Sequence, residues 1–375
     1  MDFMTRPIEA LISLANLRHN FNQARHLAPG AQIMAVVKAN AYGHGAIRVA
    51  GALAPLADAF GVASLEEAVE LRDAGIETPI VLLSGVFGRA EMLEVARYGL
   101  GTVVHCAEQL QILLDTPLSQ AINVWLKLDT GMHRLGFNAD EFYRAALRLR
   151  SSQQVGKLTF ISHLACADKP SAVLNERQLT CLQKTMAELN VHKGESVSLA
   201  NSAALLTRPD MHFNWVRPGV MLYGVNPLNT DEPLPAKTDL RPVMTLRSRI
   251  VALQTVPAGE GVGYGESWRA PGALAGSTAQ SSRIAVVAAG YGDGYPRHAR
   301  NGCPVLINGK LAEIAGRVSM DLLTLDISAN PNAQIGDTVT LWGEGLPVET
   351  VARYSGTISY ELLTGVNQRV KFVYP

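Results

Sequence analysis

Eight short apolar runs, each followed by an amphipathic stretch, recur between about residues 10 and 225. They occupy residues 33–38, 59–64, 80–85, 102–106, 122–129, 158–164, 196–201 and 215–222. Short runs with little polar alternation suit strands buried on both faces. The segments between them carry apolar residues at helical spacing. In SLEEAVELRDAG (64–75) Leu65, Ala68, Val69 and Leu71 form a stripe, and in NADEFYRAALRLR (138–150) Asn138 is placed to cap, with Glu141 three residues on. Strict alternation over this length predicts a (β/α)8 barrel of the TIM type. A doubly wound sheet is the alternative, but it calls for a glycine-rich phosphate turn after its first strand. ANAYGHG stands there instead, a poor match to GxGxxG.

Past about residue 240 the texture changes to strand-like runs broken by Gly, Pro and Asn. INGK (307–310) is suited to a type I′ hairpin corner, and VETVARYS is the one stretch there that reads as a helix. A Pro- and Asp-rich linker is expected over residues 226–242. The domains expected are therefore a barrel over 1–240 and a mostly-β domain over 241–375.

Charge narrows the partners. Lys and Arg balance Asp and Glu at 33 each, so nothing suggests nucleic acid or an acidic membrane. Four cysteines (Cys106, Cys166, Cys181, Cys303) show no CxxC pairing, which excludes a zinc or disulfide framework and predicts reduced thiols. The first residues lack an apolar core of signal-peptide length, and no stretch is apolar enough to span a bilayer. A soluble cytoplasmic protein without metal is expected.

Barrels carry their sites at the carboxyl ends of the strands. Those ends hold Lys38, Asp129 with Arg134 close behind, His163, Ser202 and Arg217. Lys38 closes the run IMAVVK. A lysine leaving a buried strand is kept from bulk water, and desolvation favours its neutral, nucleophilic form. That is the chemistry of a Schiff base to a carbonyl cofactor. The competing readings are bland: a snorkelling lysine, a satisfied core histidine at 163, a serine that caps the helix AALLTRP, and a loop arginine. Several polar groups collected at one end of one barrel favour a site.

The words AVVKANAYGHG, VWLKLDTGMHRLGF (124–137), SHLACAD (162–168), NSAALL (201–206), WVRPGVMLYG (215–224), VGYGESW (262–268), AAGYGDGYPR (288–297), GRVSMD (316–321) and LWGEGLPVE (341–349) resemble the alanine racemase family in order, over both domains. SHLACAD and NSAALL depart from the usual pattern in residues that touch packing and the phosphate neighbourhood.

This resemblance implies pyridoxal 5′-phosphate as cofactor and interconversion of L- and D-alanine. Lys38 would carry the cofactor and act as one acid/base group, with Tyr264 as the other on the opposite face. Tyr42, Ser202, the backbone at Gly219 and Val220, and Tyr360 would hold the phosphate. Arg217 would meet the pyridine nitrogen, and His163 would link Arg217 towards Tyr264. Arg134 and the backbone of Met320 would receive the substrate carboxylate, and Tyr291 would narrow the entrance. Relatives are homodimers in which the β domain completes the partner's site.

Racemisation removes the Cα proton from one face and returns one to the other, so two bases spare the substrate from turning over. Amine and phenol have ordinary pKa values near 10, so each needs about 3–4 kcal/mol of environmental bias to work near neutrality. A guanidinium keeps its proton, so Arg217 would weaken the electron sink relative to an acid and disfavour transamination. Lys127 alternates with Leu126 and Leu128, and one of these sets faces the barrel interior. Similarity to relatives with a carbamylated lysine here implies that Lys127 is modified; the alternative is a lysine paired with a carboxylate. The rival functions are a racemase of broader scope, a decarboxylase, which would carry an acid opposite the pyridine, and a non-catalytic pyridoxal-phosphate carrier, which resembles the barrel alone.

Overall fold

The computed structural model describes residues 6–229, 232–236, 238–271 and 281–375, so residues 230, 231 and 237 of the expected linker lie outside the described residues. The chain divides into two compact units. Leu17–Leu240 form one, and Arg241–Pro375 form the other together with the described residues up to Asn16.

The strand β1 (Glu9–Ile12) precedes the barrel in the chain but is part of the second unit. The barrel strands are β2 (Gln32–Val36), β3 (Ala59–Val62), β4 (Ile80–Leu82), β5 (Gly101–Val104), β6 (Ile122–Lys127), β7 (Val155–Ile161), β8 (Ser196–Asn201) and β9 (Trp215–Arg217). All pair in parallel, and Gln32 opposite Trp215 with Ile33 opposite Val216 closes the ring, which excludes the open doubly wound sheet. Each expected run overlaps one strand, with ends that differ by up to a few residues.

Side chains alternate across a strand, and here one set fills the barrel. Met34, Ala59, Val81, Val103, Trp125 and Ile161 pack with Leu83 and Trp215, and the Trp125 and Trp215 rings meet edge-on at 5.3 Å. The other set, such as Leu126 and Phe160, is buried beneath the helices. Phe142 of helix Ala139–Arg150 meets Phe160 edge-on at 5.5 Å. That helix opens with the expected capping box, the Asn138 side chain accepting from Glu141 N at 2.9 Å. Two positions beyond the apolar plug, the same parity sets His105, Lys127, His163 and Arg217 at the carboxyl ends of the strands.

The chain after β2 does not simply turn into a helix. Ala39, Asn40, Ala41 and Tyr42 all have φ of 53°, a full turn of left-handed backbone made of L-residues other than glycine. Each such residue costs roughly 1–2 kcal/mol, so the turn must be held by bonds around it. Ala41 N donates to Val37 O at 2.8 Å, Gly45 N to Asn40 O at 3.0 Å, and Ala46 N to Asn40 Oδ1 at 2.8 Å. A right-handed helix begins only at Ala46.

The second unit contains β10 (Met244–Pro257), β11 (Gly261–Val262), β12 (Trp268–Arg269), β13 (Ser281–Val287), β14 (Pro304–Ile307), β15 (Lys310–Ile314), β16 (Leu323–Asp326), β17 (Thr338–Trp342) and β18 (Lys371–Val373). β10 pairs with β17 through its first half and with β13 through its second, and β14, β15 and β16 complete the circuit. β1 lies antiparallel to β10 and parallel to β18. The N-terminal segment therefore folds with the β unit, whereas the sequence alone assigns it to the barrel. Trp342 and Tyr295 are buried and stacked at 5.8 Å. The INGK corner joins β14 to β15 with positive φ at Asn308 and Gly309, as a type I′ turn requires. Besides helix Val348–Tyr354 the unit has a second, Ser359–Gly365, missed in sequence because seven residues give too little periodicity.

Candidate active site

Above the plug of the barrel lies a collection of cations. Burial first, then Arg217, Arg134 and Lys38, push the Lys127 ammonium down to about 8, against an upward pull from Asp129. Lys127 thus faces the barrel mouth, the interior side of its strand. Lys38 is open to solvent; partial desolvation and Arg134 lower its amine, while Glu67 acts the other way. The Asp129 carboxylate is turned into its own loop, where it accepts from the backbone of Gly131, Met132 and His133 and from His133 Nδ1.

Arg217 is buried, and its hydrogen-bond partners among the described residues are all neutral. Nη1 donates to Ser198 Oγ at 2.6 Å, and Nη2 faces Ser162 O at 2.7 Å, Leu199 O at 3.2 Å and His163 Nδ1 at 3.2 Å. Burial lowers the guanidinium to about 10, so it remains a cation near neutrality. Burial, then Arg217, Lys127, Arg134 and Lys38, hold His163 well below its ordinary value. The imidazole is neutral, and Nδ1 is its acceptor.

Behind this pair runs a buried polar chain that the sequence reading missed. Gln178 Nε2 donates to Thr130 Oγ1 at 3.1 Å and to His163 O at 2.9 Å, while its Oε1 accepts from Ala165 N at 2.9 Å. Thr130 Oγ1 and Ser162 Oγ are 2.9 Å apart, and Ser162 donates to Leu128 O at 2.9 Å. Parity on the strands would have flagged Ser198 and His105. No local signal marks Gln178, which reaches the site from the helix Val173–Leu189.

Ser202 does not cap its helix. Asn201 does, accepting from Ala204 N at 3.1 Å. The Ser202 hydroxyl instead accepts from Gly219 N at 2.8 Å and Met221 N at 3.4 Å. Tyr42 brings its hydroxyl to the same place: a Cβ on Gly219 would lie 2.5 Å from it. The Tyr42 ring stacks on Tyr223 at 4.8 Å, and Tyr223 donates to Val36 O at 3.0 Å. The barrel unit thus gathers Lys38, Tyr42, Lys127, Arg134, His163, Ser202, Arg217, Gly219 and Val220 at one mouth.

The remaining candidates lie in the β unit. Tyr264 sits on the one-turn segment Tyr264–Glu266 and is 69% exposed. Gly263 and Gly265 flank it with φ of 70° and 69°, and both approach Arg317. Tyr291 N donates to Ser319 O at 3.1 Å and Gly292 N to Met320 O at 2.8 Å, so Tyr291 and Met320 share one loop pair. Met320 is 52% exposed. Tyr360 lies on helix Ser359–Gly365. Among the described residues no group of three or more His, Cys, Asp and Glu is arranged to hold a metal ion, and no helix is long and apolar enough to cross a membrane.

Residues 12–227 match the family model for the alanine racemase N-terminal domain, and residues 243–374 match that for the C-terminal domain. The chain is 50% identical over 368 residues to an alanine racemase of Chromohalobacter salexigens, covering 98% of this chain and 97% of that protein. Its fold is similar to the crystal structure of the biosynthetic alanine racemase from Pseudomonas aeruginosa, with a TM-score of 0.92 and 46% identity over 99% of this chain and 100% of that one. It is also similar to alanine racemase from Bartonella henselae with covalently bound pyridoxal phosphate, with a TM-score of 0.87 and 29% identity over 98% and 99% of the two chains.

Proposed function

The chain belongs to the alanine racemase family, and on that premise we propose how its two units carry out the reaction. It is an isomerase that interconverts L-alanine and D-alanine. Its match to both domains of the family separates it from a carrier that resembles the barrel alone.

The cofactor of this reading is pyridoxal 5′-phosphate, and two observations fit it. At Gly219 the absence of a side chain lets the Tyr42 hydroxyl approach beside the Ser202 hydroxyl, leaving a polar cradle for the phosphate. The mouth also collects Lys38, Lys127, Arg134 and Arg217 while Asp129 is engaged in its own loop, so an anionic group with a carboxylate-bearing substrate balances the charge. When bound, the cofactor supplies an electron sink that makes the Cα proton acidic.

The chain's own groups do the rest. Lys38 attaches the cofactor and exchanges a proton with Cα on one face, because its lowered pKa leaves more neutral amine near neutrality. The Tyr264 phenol exchanges a proton on the other face. Ser202, Tyr42, Tyr360 and the backbone at Gly219 and Val220 hold the phosphate. Arg217 would donate to the pyridine nitrogen of the bound cofactor without protonating it, and neutral His163 carries its hydrogen on Nε2, available to the opposite base. Arg134 and the Met320 backbone orient the substrate carboxylate, and Tyr291 restricts what can approach. The observation that carries this reading is the buried Arg217, whose hydrogen-bond partners among the described residues are neutral, beside three further cations.

In this reading the protein works in the cytoplasm as a homodimer, each site taking Lys38 from one subunit and Tyr264, Tyr291 and Met320 from the other. The exposed Tyr264 and Met320 favour assembly. Racemisation assayed across a panel of L-amino acids tests the function. Activity on alanine above all others is expected, and preference for bulky or basic side chains would replace this reading with a racemase of broader scope.

A further inference from the structure

Lys38 leads into four left-handed residues, and something must keep that strained turn in register with the barrel. The helix Leu65–Asp73 supplies it from outside. Glu67 Oε1 accepts from Ala39 N at 2.7 Å, and Glu67 Oε2 accepts from Ala63 N at 2.6 Å. One carboxylate therefore ties the first residue of the turn to the end of the adjacent strand β3, using both oxygens on backbone donors. Bonds from N–H to a carboxylate are shorter and stronger than neutral ones. Both donors lie at the edge of the mouth, where water would compete for a neutral acceptor.

We propose that Glu67 is the positioning residue for Lys38: its carboxylate clips Ala39 to Ala63 and so fixes the direction in which the Lys38 amine enters the barrel mouth. This deepens the function proposed above and rests on the reading of Lys38 as the cofactor's attachment point. Glu67 touches neither substrate nor cofactor in this role. Its charge has a second effect on the amine. The charged groups acting around Lys38 are Arg134, Lys127 and Glu67, with neutral His163 beside them. Glu67 is the anion of this set and favours the ammonium form.

Two substitutions separate position from charge. Glu67→Gln keeps the shape, but its amide NH2 must face one of the two N–H donors, so one clip bond becomes a donor–donor contact and the charge is lost. Glu67→Asp keeps the charge and shortens the reach. The cofactor-free proteins are compared by hydrogen exchange over residues 39–45 and by the rate at which pyridoxal phosphate attaches to Lys38 as a function of pH, trapped with borohydride and located by peptide mapping.

In both variants exchange in the turn should accelerate and the plateau labelling rate fall, each by about ten-fold, as expected for loss of a charge-assisted bond. The pH midpoint of labelling should move down in Glu67→Gln and stay in place in Glu67→Asp. The loss of rate and protection in Glu67→Asp, which keeps the charge, reports the clip, and the midpoint shift in Glu67→Gln reports the charge. Wild type that labels at Lys38, with both variants matching it in exchange and in rate, would overturn the clip alone. Wild type that takes no label at Lys38 would overturn the functional reading, and the proposal with it.

Discussion

Arg217 Nη2 stands 3.2 Å from His163 Nδ1. A guanidinium only donates, so this contact assigns the imidazole its tautomer: Nδ1 accepts, and the hydrogen is on Nε2. The surrounding cations reinforce the assignment, since burial and four positive neighbours oppose a second proton on the ring.

This geometry makes Arg217 hard to replace. Lysine keeps the charge but cannot reach Ser198 Oγ, Ser162 O, Leu199 O and His163 Nδ1 from one planar fork. Arg217→Lys should weaken pyridoxal-phosphate binding about ten-fold and lower stability by about 1–3 kcal/mol through acceptors left unpaired. Fluorescence titration of the cofactor-free protein and urea denaturation measure the two. Unchanged values in both would mean that the fork is not what holds the site.

The two proposed bases serve opposite faces, so their loss should be asymmetric. Tyr264→Phe removes the phenol while keeping the ring on its exposed turn. Cα hydrogen exchange in deuterated water, followed separately from D- and L-alanine, should fall far more for one enantiomer than for the other. Equal losses would argue against a division of labour.

Lys127 carries a pH signature. Its folded value of about 8 lies below the unfolded 10.5, so between these the unfolded chain binds more protons. Stability contributed by this group therefore rises with pH across that window, and the full penalty is felt below about pH 8. The effect is at most about 3 kcal/mol. In CO2-free buffer, wild-type cofactor-free protein should gain stability from pH 8 to 10.5 relative to Lys127→Met; parallel curves would show that the ammonium is not strained.

The same lysine is proposed to escape the cation cluster as a carbamate, an anion able to orient Arg134. Bicarbonate should then raise activity in the wild type but not in Lys127→Met, and carbon-13 NMR of protein equilibrated with labelled bicarbonate should show a carbamate resonance. An absent resonance in active enzyme would leave Lys127 a plain amine.

Sharing of the site is tested by mixing Lys38→Ala with Tyr264→Ala and allowing subunits to exchange. Random exchange makes about half the dimers mixed, each with one intact site, so about one quarter of wild-type activity should return. No recovery after verified exchange would mean that each chain builds its own site.

What the sequence by itself determined was whatever follows from local periodicity: eight strands, their alternation with helices, the hairpin at Asn308-Gly309, the cap at Asn138 and the strand ends that bear Lys38, His163 and Arg217. Two-residue alternation then stacks most of those groups over the plug around Trp125. The tertiary structure alone decided which long-range partners they have. Glu67 reaches Ala39 from another helix, Gln178 reaches His163 from a third, and β1 joins strands more than 200 residues away at Arg247. It also decided the left-handed turn after Lys38, a conformation that Ala39, Ala41 and Tyr42 do not favour. Such a turn is tolerable only where surrounding bonds hold it, and those bonds exist only once distant segments have packed.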